Sequence, residues 1–264
     1  MTYVPFEHGS SLQLRKLYPH APDHLEVKVV TLLSDNDLSK IDLTKDVHYY
    51  IPWKAKLSVD YEDKNYRKLL KEAFSSRKKV KLLDLPDDMP SIALHVRVGS
   101  GTDNLSQTID APDKSSQQKK GRTTDKLFPG KFPSLSYYCE QIKHICKMLD
   151  NQHVYVHIFT DSERPEALVQ SLKRTLSLDT VHFSYIKSKE RSFYGVVEDF
   201  INLCRFEYII RPRSWFSIMA EAVADWKISI SPHKDGYIWQ DNKIHITHVR
   251  TLVRDGDSVS TIEL

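Results

Sequence analysis

The sequence predicts an α/β fold with a parallel sheet at its centre. From residue 91 to residue 230, short runs rich in Val and Ile alternate with longer stretches whose apolar residues recur at helical spacing. Strands that alternate with helices of this length form βαβ units, which place parallel strands side by side with helices on both faces. The composition agrees, because 40% of the 264 residues are hydrophobic, which is enough for a core and excludes a wholly disordered chain.

Charge and cysteine content exclude further classes. The 38 basic and 35 acidic side chains leave a formal net charge of +3 and are scattered, so nucleic acid is not a predicted partner. The 3 cysteines show no metal-binding spacing, and their odd number is typical of a reducing compartment. Because the sequence shows no apolar run of about 18–20 residues and no leader pattern, we expect a cytoplasmic protein without a transmembrane segment, or a luminal one if the sequence is an N-terminally truncated fragment.

Residues 1–90 are expected to form a short N-terminal region. Runs of β-branched and aromatic residues predict strands over 25–33 and 46–53. A charged stretch over 61–80, with apolar residues three and four apart, predicts an amphipathic helix. This region is therefore also expected to be α/β.

Residues 91–250 are expected to form the parallel-sheet domain. It begins with a buried strand over 91–98, which is followed by a polar segment, 99–133, without periodicity. A segment this long inside a domain is usually disordered or a functional lid. We favour a largely disordered insertion, with a lid role for its two ends as the alternative.

The rest of the chain continues the alternation and then becomes polar. The pattern predicts helices over 134–149, 164–176, 193–204 and 214–224, and strands over 153–160, 180–186, 207–210 and 227–230. Residues 251–264 are expected to be a tail, which is polar and frayed after Arg254.

Polar residues that follow the predicted strands are the candidates for chemistry, because ligands of open α/β sheets bind beyond the carboxyl ends of the strands. His95 and Arg97 lie two residues apart, so they share one face of an otherwise apolar strand. A guanidinium matches the oxygens of a phosphate or diphosphate, and Gly99 lets the chain approach a ligand closely. In the structural alternative, Arg97 pairs with an internal carboxylate and His95 bonds a backbone carbonyl.

Two further groups each have an ordinary structural explanation as well. Asp161 follows the second strand of the domain, where it either caps the next helix or contacts a ligand. Ser214 and Ser217 lie at the start of a helix whose free N–H groups suit an anion, with Phe216 between them as a ligand contact or a core residue. Asp199 lies in the preceding helix, where a solvated carboxylate is the alternative to a ligand contact.

Four motifs, in this order, resemble the GDP-fucose-binding half of the fucosyltransferase superfamily, which includes the α1,2-, α1,6- and protein-O-fucosyltransferases. They are HVRVGSG (95–101), SYYCEQI (136–142), FTDS (159–162) and EDFINLCRFEYIIRPRSWFSIMAEAVAD (198–225). The first is similar to the His-x-Arg motif of the family, and its Val-Gly-Ser is closest to the protein-O-fucosyltransferase form. The resemblance covers residues 92–232.

The resemblance implies an inverting glycosyltransferase of GT-B architecture. In that architecture a Rossmann-type C-terminal domain binds the donor, and residues 1–90 are the short acceptor-side α/β domain, whole or in part. The implied donor is GDP-fucose or a related nucleotide sugar, and the implied acceptor is a hydroxyl of a glycan or a polypeptide. No metal and no other cofactor are implied, in agreement with the absence of an Asp-x-Asp motif.

The resemblance also implies roles for individual residues. Arg97 would hold the diphosphate and stabilise the leaving GDP, His95 would contact the nucleotide, and Asp199 would accept hydrogen bonds from guanine. The remaining residues expected to line the donor site are Gly99, Asp161, Ser214, Phe216 and Ser217.

Two departures from the family pattern keep a second function open. Val98 stands where the α1,2- and α1,6-enzymes carry a second arginine, and the sequence identifies no catalytic base. The alternative is a catalytically degenerate module that binds a nucleotide sugar without transfer, or an interaction module.

Overall fold

A computed structural model describes residues 29–41, 48–50, 63–75, 80–99, 124–186, 195–240, 243–256 and 258–263. The chain divides into two compact units, Met1–Asp60 and Tyr61–Leu264. Within the described residues, no helix is both long and apolar enough to cross a bilayer.

The first unit contains two short parallel strands, β1 (Val29–Thr31) and β2 (His48–Tyr50). Between them is a 3₁₀ turn, Asp35–Lys40, with Ser34 at its N-cap. The Asp37 carboxylate accepts the Leu33 N–H at 2.8 Å and so closes this turn. The strand predicted over 46–53 is confirmed over 48–50, and the one predicted over 25–33 is confirmed over 29–31 but not over 32–33. The remaining parts of the two predictions, 25–28, 46–47 and 51–53, lie outside the described residues.

From residue 135 to residue 232 the described residues of the second unit alternate helices and strands, and only strands follow. Its helices are α1 (Lys64–Ser75), α2 (Thr124–Leu127), α3 (Leu135–Met148), α4 (Pro165–Leu176), α5 (Gly195–Leu203) and α6 (Trp215–Val223). Its strands are β3 (Ser91–Val96), β4 (Val154–Thr160), β5 (Val181–Tyr185), β6 (Tyr208–Ile210), β7 (Ile228–Pro232), β8 (Tyr237–Gln240), β9 (Lys243–Ile246), β10 (Val249–Asp255) and β11 (Ser258–Glu263).

Seven of these strands form one sheet in the order β11-β10-β7-β6-β3-β4-β5. The pairs from β7 to β5 are parallel, whereas β10 and β11 are antiparallel additions at one side. The chain runs outward from β3 through β4 to β5 and then returns to β6 on the other side of β3. The strand order therefore reverses between β3 and β6, which is the topological switch point of a doubly wound sheet.

Side chains alternate between the two faces of the sheet, and helices cover both. Ile92, Leu94 and Val96 belong to a core that includes residues of α3 and α4. Ala93 and Ile209 belong to a second core that includes residues of α5 and α6. This arrangement confirms the predicted α/β class with a Rossmann-type parallel sheet, and it is consistent with a GT-B-like domain.

Two expectations about the second unit are wrong in part. The segment 99–133 is not wholly irregular, because α2 and a 3₁₀ turn, Pro129–Lys131, lie at its end, and Phe132 is buried after them. The Arg213 N–H donates to the Gly130 carbonyl at 2.8 Å, which fixes this end to the loop after β6. Residues 100–123 lie outside the described residues.

The expected frayed tail over 251–264 instead forms most of a β-hairpin. β10 pairs with β7, and β11 pairs with β10 from Arg250↔Glu263 to Asp255↔Ser258. Gly256, with φ at +56°, lies in the turn between them. The expectation failed because backbone pairing orders this polar segment, and polarity alone does not report backbone pairing.

Helix α1 belongs to the second unit by its contacts. The Arg67 guanidinium donates to the carbonyls of Ala222 and Ala224, both at 2.9 Å, at the end of α6. Lys71 forms an ion pair with Asp225 at 2.6 Å. The predicted helix over 61–80 is thus confirmed over 64–75, while the acceptor-side role of residues 1–90 stays a prediction.

Candidate functional site

The carboxyl ends of β3, β4 and β6 meet at one edge of the sheet, and we call this region the carboxyl edge. β4 and β6 flank β3 on its two sides, so the residues that follow these strands are neighbours. His95 and Arg97 come from β3 and the residue after it, Asp161 follows β4, and Arg211 follows β6. Sequence reasoning predicted this meeting of loops, because it follows from parallel strand order.

His95 is buried at the end of β3 and lies on the face of the sheet that carries α5 and α6. Its ring lies 5.3 Å from the ring of Phe216 in α6, measured between centroids. Its Nδ1 has no hydrogen-bond partner among the described residues. Burial, followed by the positive charges of Arg97 and Arg211, lowers the pKa of His95 to about 3. The ring is therefore neutral near pH 7, and it does not make the carbonyl bond of the structural alternative through Nδ1.

Arg97 lies just past β3 and is oriented toward a carboxylate. Its Nη1 is 3.5 Å from Asp161 Oδ2, and the Arg97 side chain keeps 25% of its surface exposed. The other oxygen, Asp161 Oδ1, accepts the Val98 N–H at 2.8 Å. Asp161 thus fastens the loop after β3 and faces Arg97, so the pairing of Arg97 with an internal carboxylate is present. A quarter of the Arg97 side-chain surface is still exposed to solvent at the carboxyl edge.

Gly99 begins the departure of the chain from this edge. Its φ of +90° lies in a region that side chains with a Cβ rarely adopt. This backbone conformation favours glycine at position 99, while a contact of Gly99 with a donor stays a prediction.

Tyr138 of α3 lies beneath the same loop and is completely buried. Its hydroxyl has no hydrogen-bond partner of ordinary geometry in the described part of the chain. Burial raises the pKa of Tyr138 far above its usual value, with Tyr137 and Asp161 adding to the effect and the Arg97 backbone N–H opposing it. The Tyr138 hydroxyl therefore stays protonated and neutral next to the Arg97 backbone.

The loop after β6 ends at the start of α6. Ser214 occupies the N-cap with extended backbone, and the Ile218 N–H bonds its carbonyl at 2.9 Å. Ser217 is fully buried, and its hydroxyl lies within donating distance of the carbonyls of Pro212 and Ser214. The Ser217 proton is thus used locally, which leaves the first N–H groups of the helix as the groups that suit an anion.

Asp199 is buried in α5, so the alternative of a solvated carboxylate is wrong. The next residue, Phe200, packs edge-on against Phe216 with 5.6 Å between ring centroids. Because Phe216 also contacts His95, the chain of rings from Phe200 to His95 places α5 beside the carboxyl edge. A role for Asp199 toward guanine stays a prediction.

One element of this edge was missed from the sequence. Arg211 and Glu221 are both buried and form a bidentate pair, with Nε to Oε2 and Nη2 to Oε1 both at 2.8 Å. The Ser229 hydroxyl also donates to Glu221. A signal existed in the sequence, because Arg211 directly follows an apolar strand and Glu221 is the one acid of an otherwise apolar helix.

Comparison with known proteins finds structural neighbours only. No family model matches the chain, and no curated protein matches it. Solved structures that it is similar to include POFUT1 in complex with GDP (13% identity, TM-score 0.39, covering 72% of this chain and 56% of that one). POFUT1 in complex with GDP-fucose matches at 13% identity and a TM-score of 0.38, over 72% of this chain and 54% of that one.

The chain thus spans little more than half the length of these structures. A likeness with a TM-score below 0.5 carries no argument about ligand or activity, so membership of the fucosyltransferase superfamily stays a prediction.

Proposed function

We propose that the carboxyl edge is the donor site of an inverting glycosyltransferase, which transfers fucose from GDP-fucose to a hydroxyl of a glycan or polypeptide. One observation carries the proposal. The buried, neutral ring of His95 and the partly exposed guanidinium of Arg97 lie on one side of the sheet at its switch point, with Phe216 of α6 against the ring. A neutral imidazole with an unused nitrogen suits a nucleoside, and a guanidinium suits a diphosphate.

In this proposal the chain accelerates transfer by stabilising the leaving group. The acceptor oxygen attacks the anomeric carbon from the face opposite the diphosphate. As the new C–O bond forms, the bond from the anomeric carbon to the diphosphate oxygen breaks and its electron pair goes to GDP. Arg97 and the N–H groups at the start of α6 stabilise the charge that develops there, and the acceptor proton passes to solvent.

The pair between Arg97 and Asp161 favours a second candidate, a module that binds a nucleotide sugar without transfer. A carboxylate 3.5 Å from the guanidinium offsets part of its positive charge, and so reduces what remains for a leaving diphosphate. Such a module binds GDP and GDP-fucose but fucosylates no acceptor.

Thermal unfolding with millimolar GDP, GDP-fucose, UDP or ADP tests the donor site. A ligand present at about 100 times its dissociation constant stabilises the folded state by about 2.7 kcal/mol, which raises Tm by several degrees. We expect guanine nucleotides alone to raise Tm, and Arg97→Gln to abolish the rise. Arg174→Gln, at an exposed position of α4, is the matched control and should keep it.

The same proteins then separate the two candidates. Transfer of labelled fucose to a panel of glycans and peptides by the wild type, lost in Arg97→Gln, supports the enzyme. Guanine-specific binding without transfer over that panel supports the module. If no nucleotide raises Tm, both are wrong.

A further inference from the structure

A second charged cavity lies beside α6, at the ends of β7 and β10. It has a volume of about 400 Å³ and is lined by four basic side chains and one acidic one. We call it the cationic cleft; its charged residues are Arg211, Arg213, Lys234, Arg250 and Glu221.

The balance of charge in the cationic cleft is positive. Glu221 is neutralised by the bidentate bond from Arg211, so these two residues cancel. Arg250 lies 3.6 Å from the same carboxylate and keeps 41% of its side-chain surface exposed. Lys234 is 3.9 Å from Asp235, but both side chains are mostly exposed, so water screens this pair. Arg213, Lys234 and Arg250 therefore supply an excess of positive charge around the cavity.

The fold fixes the positions of two of these cations. Arg250 lies opposite Ser231 in the register of β10 and β7, so backbone pairing sets its position. The Arg213 N–H bonds the Gly130 carbonyl, and the Arg213 side chain packs on Gly130 so closely that a Cβ there would come within 2.9 Å of Cδ. These two guanidinium groups line the cavity from different elements, Arg213 from the loop before α6 and Arg250 from β10.

The cationic cleft lies on a different flank of α6 from His95 and Phe216 of the donor site. Phe216 contacts His95, whereas Ile218 and Glu221 line the cleft. Successive helical residues are about 100° apart, so Ile218 lies about 200° and Glu221 about 140° around the helix from Phe216. A ligand in the cleft is thus separated from His95 by the body of the helix, whereas Ser217, about 40° around the helix from Glu221, lies on the side of the cleft.

We propose that the cationic cleft binds a small molecule through a phosphate or diphosphate group, as a site additional to the donor site. Arginine guanidinium groups match phosphate oxygens in pairs, and a cavity of this volume accommodates a phosphate together with a small organic group. The test of the proposal does not depend on the proposed function, because Lys234 and Arg250 are not among the residues that would hold the donor.

Calorimetric titration with inorganic pyrophosphate tests the proposal in the full chain, at an ionic strength held constant with sodium chloride. All variants carry Arg97→Gln, so that any pyrophosphate bound at the donor site is removed from the measurement. We expect Arg97→Gln protein to bind pyrophosphate, and the added pair Lys234→Gln and Arg250→Gln to weaken binding at least tenfold. The added pair Lys173→Gln and Arg174→Gln, at exposed positions of α4, removes the same charge elsewhere and should leave binding unchanged.

Two outcomes overturn the proposal: absence of pyrophosphate binding in Arg97→Gln protein, or an equal loss in the two charge-matched pairs. The single variant Lys234→Gln is a further check, because the Lys234 side chain is mostly exposed and its replacement should not unfold the protein. Circular dichroism verifies that the other variants are folded. Titrations with a sugar phosphate and with sulfate identify the source of the anion, since a stronger response to the sugar phosphate supports an organic phosphate and equal responses support free oxyanions. The thermal unfolding experiment with nucleotides tests the donor site, and the pyrophosphate titration tests the cleft. A failure of one proposal can therefore be distinguished from a failure of the other.

Discussion

Arg211 and Glu221 form a bidentate pair that is closed off from solvent between β6 and α6. Burial raises the pKa of Glu221, but the charge and hydrogen bonds of Arg211, with help from Ser229 and Arg250, lower it below its ordinary value of 4.5. The carboxylate therefore stays ionised in the folded state. Its contribution to stability is complete above pH 4.5 and is lost as the pH falls through the lowered value.

We predict that Glu221→Leu strongly destabilises the protein, because it leaves the Arg211 guanidinium buried without a counter-charge. Breaking one side of a buried pair costs about 3–5 kcal/mol. Urea unfolding should show this loss, and the double variant Arg211→Met with Glu221→Leu should lose less than the single one. Asp225→Asn, which breaks an exposed pair with Lys71, should cost about 1 kcal/mol or less. Equal losses for Glu221→Leu and Asp225→Asn would contradict this account.

We predict that Asp161 is a positioning residue for Arg97 and the loop after β3. Asp161→Asn removes the charge that faces Arg97 but keeps an oxygen for the Val98 N–H, whereas Asp161→Ala removes both. Donor affinity should therefore fall further in Asp161→Ala, by about tenfold or more relative to Asp161→Asn, which corresponds to about 1.4 kcal/mol. Titration with GDP measures both, and the transfer assay should show the change in KM for the donor more than in kcat. Equal affinities in the two variants would show that the hydrogen bond to Val98 does not position the site.

We predict that His95 makes the protein less stable as the pH falls below 6.5. Its pKa is about 3 in the folded state and 6.5 in the unfolded state, so as the pH falls the unfolded protein binds a proton at this residue before the folded protein does. Stability from this residue is complete above pH 6.5 and falls between pH 6.5 and 3, with a slope that approaches about 1.4 kcal/mol per pH unit for one proton. Urea unfolding of the wild type and His95→Gln from pH 7 to pH 5 measures the difference in slope. If the two slopes are the same, the ring is not held neutral in the folded protein.

We predict that Gly99→Ala costs stability and donor affinity together. A residue with a Cβ at φ +90° is strained by about 1–3 kcal/mol, and relief of that strain would move the loop that carries Arg97. Gly256→Ala is the matched control, because Gly256 also has positive φ but lies in the β10–β11 turn with no atom within 4 Å of the added Cβ. Urea unfolding should detect a loss in both variants, and GDP titration a loss only in Gly99→Ala.

Sequence reasoning predicts most of the second unit because its signals are local. The alternation of β-branched runs with amphipathic stretches defined all four helices and all four strands between residues 134 and 230, with bounds that differ by a few residues. The spacing of His95 and Arg97 likewise placed both on one side of the sheet, and parallel topology brought Asp161 and Ser214 to the same edge.

Three features could not be predicted, because each depends on partners that are distant in the sequence. β10 pairs with β7 and buries Leu252 in the second core, and the polar β11 is ordered by backbone pairing with β10. The Arg211–Glu221 pair depends on the angle at which α6 returns over the sheet. The burial of Asp199 depends on packing of α5, whereas its local sequence resembles that of an exposed acid.

The bond between Gly130 and Arg213 means that the chain leaves the sheet at β3 and is fastened again beside β6, the adjacent strand. Two fixed anchor points on neighbouring strands make the register of the sheet independent of how many residues connect them. A peptide epitope inserted between residues 99 and 124 should therefore leave the sheet intact.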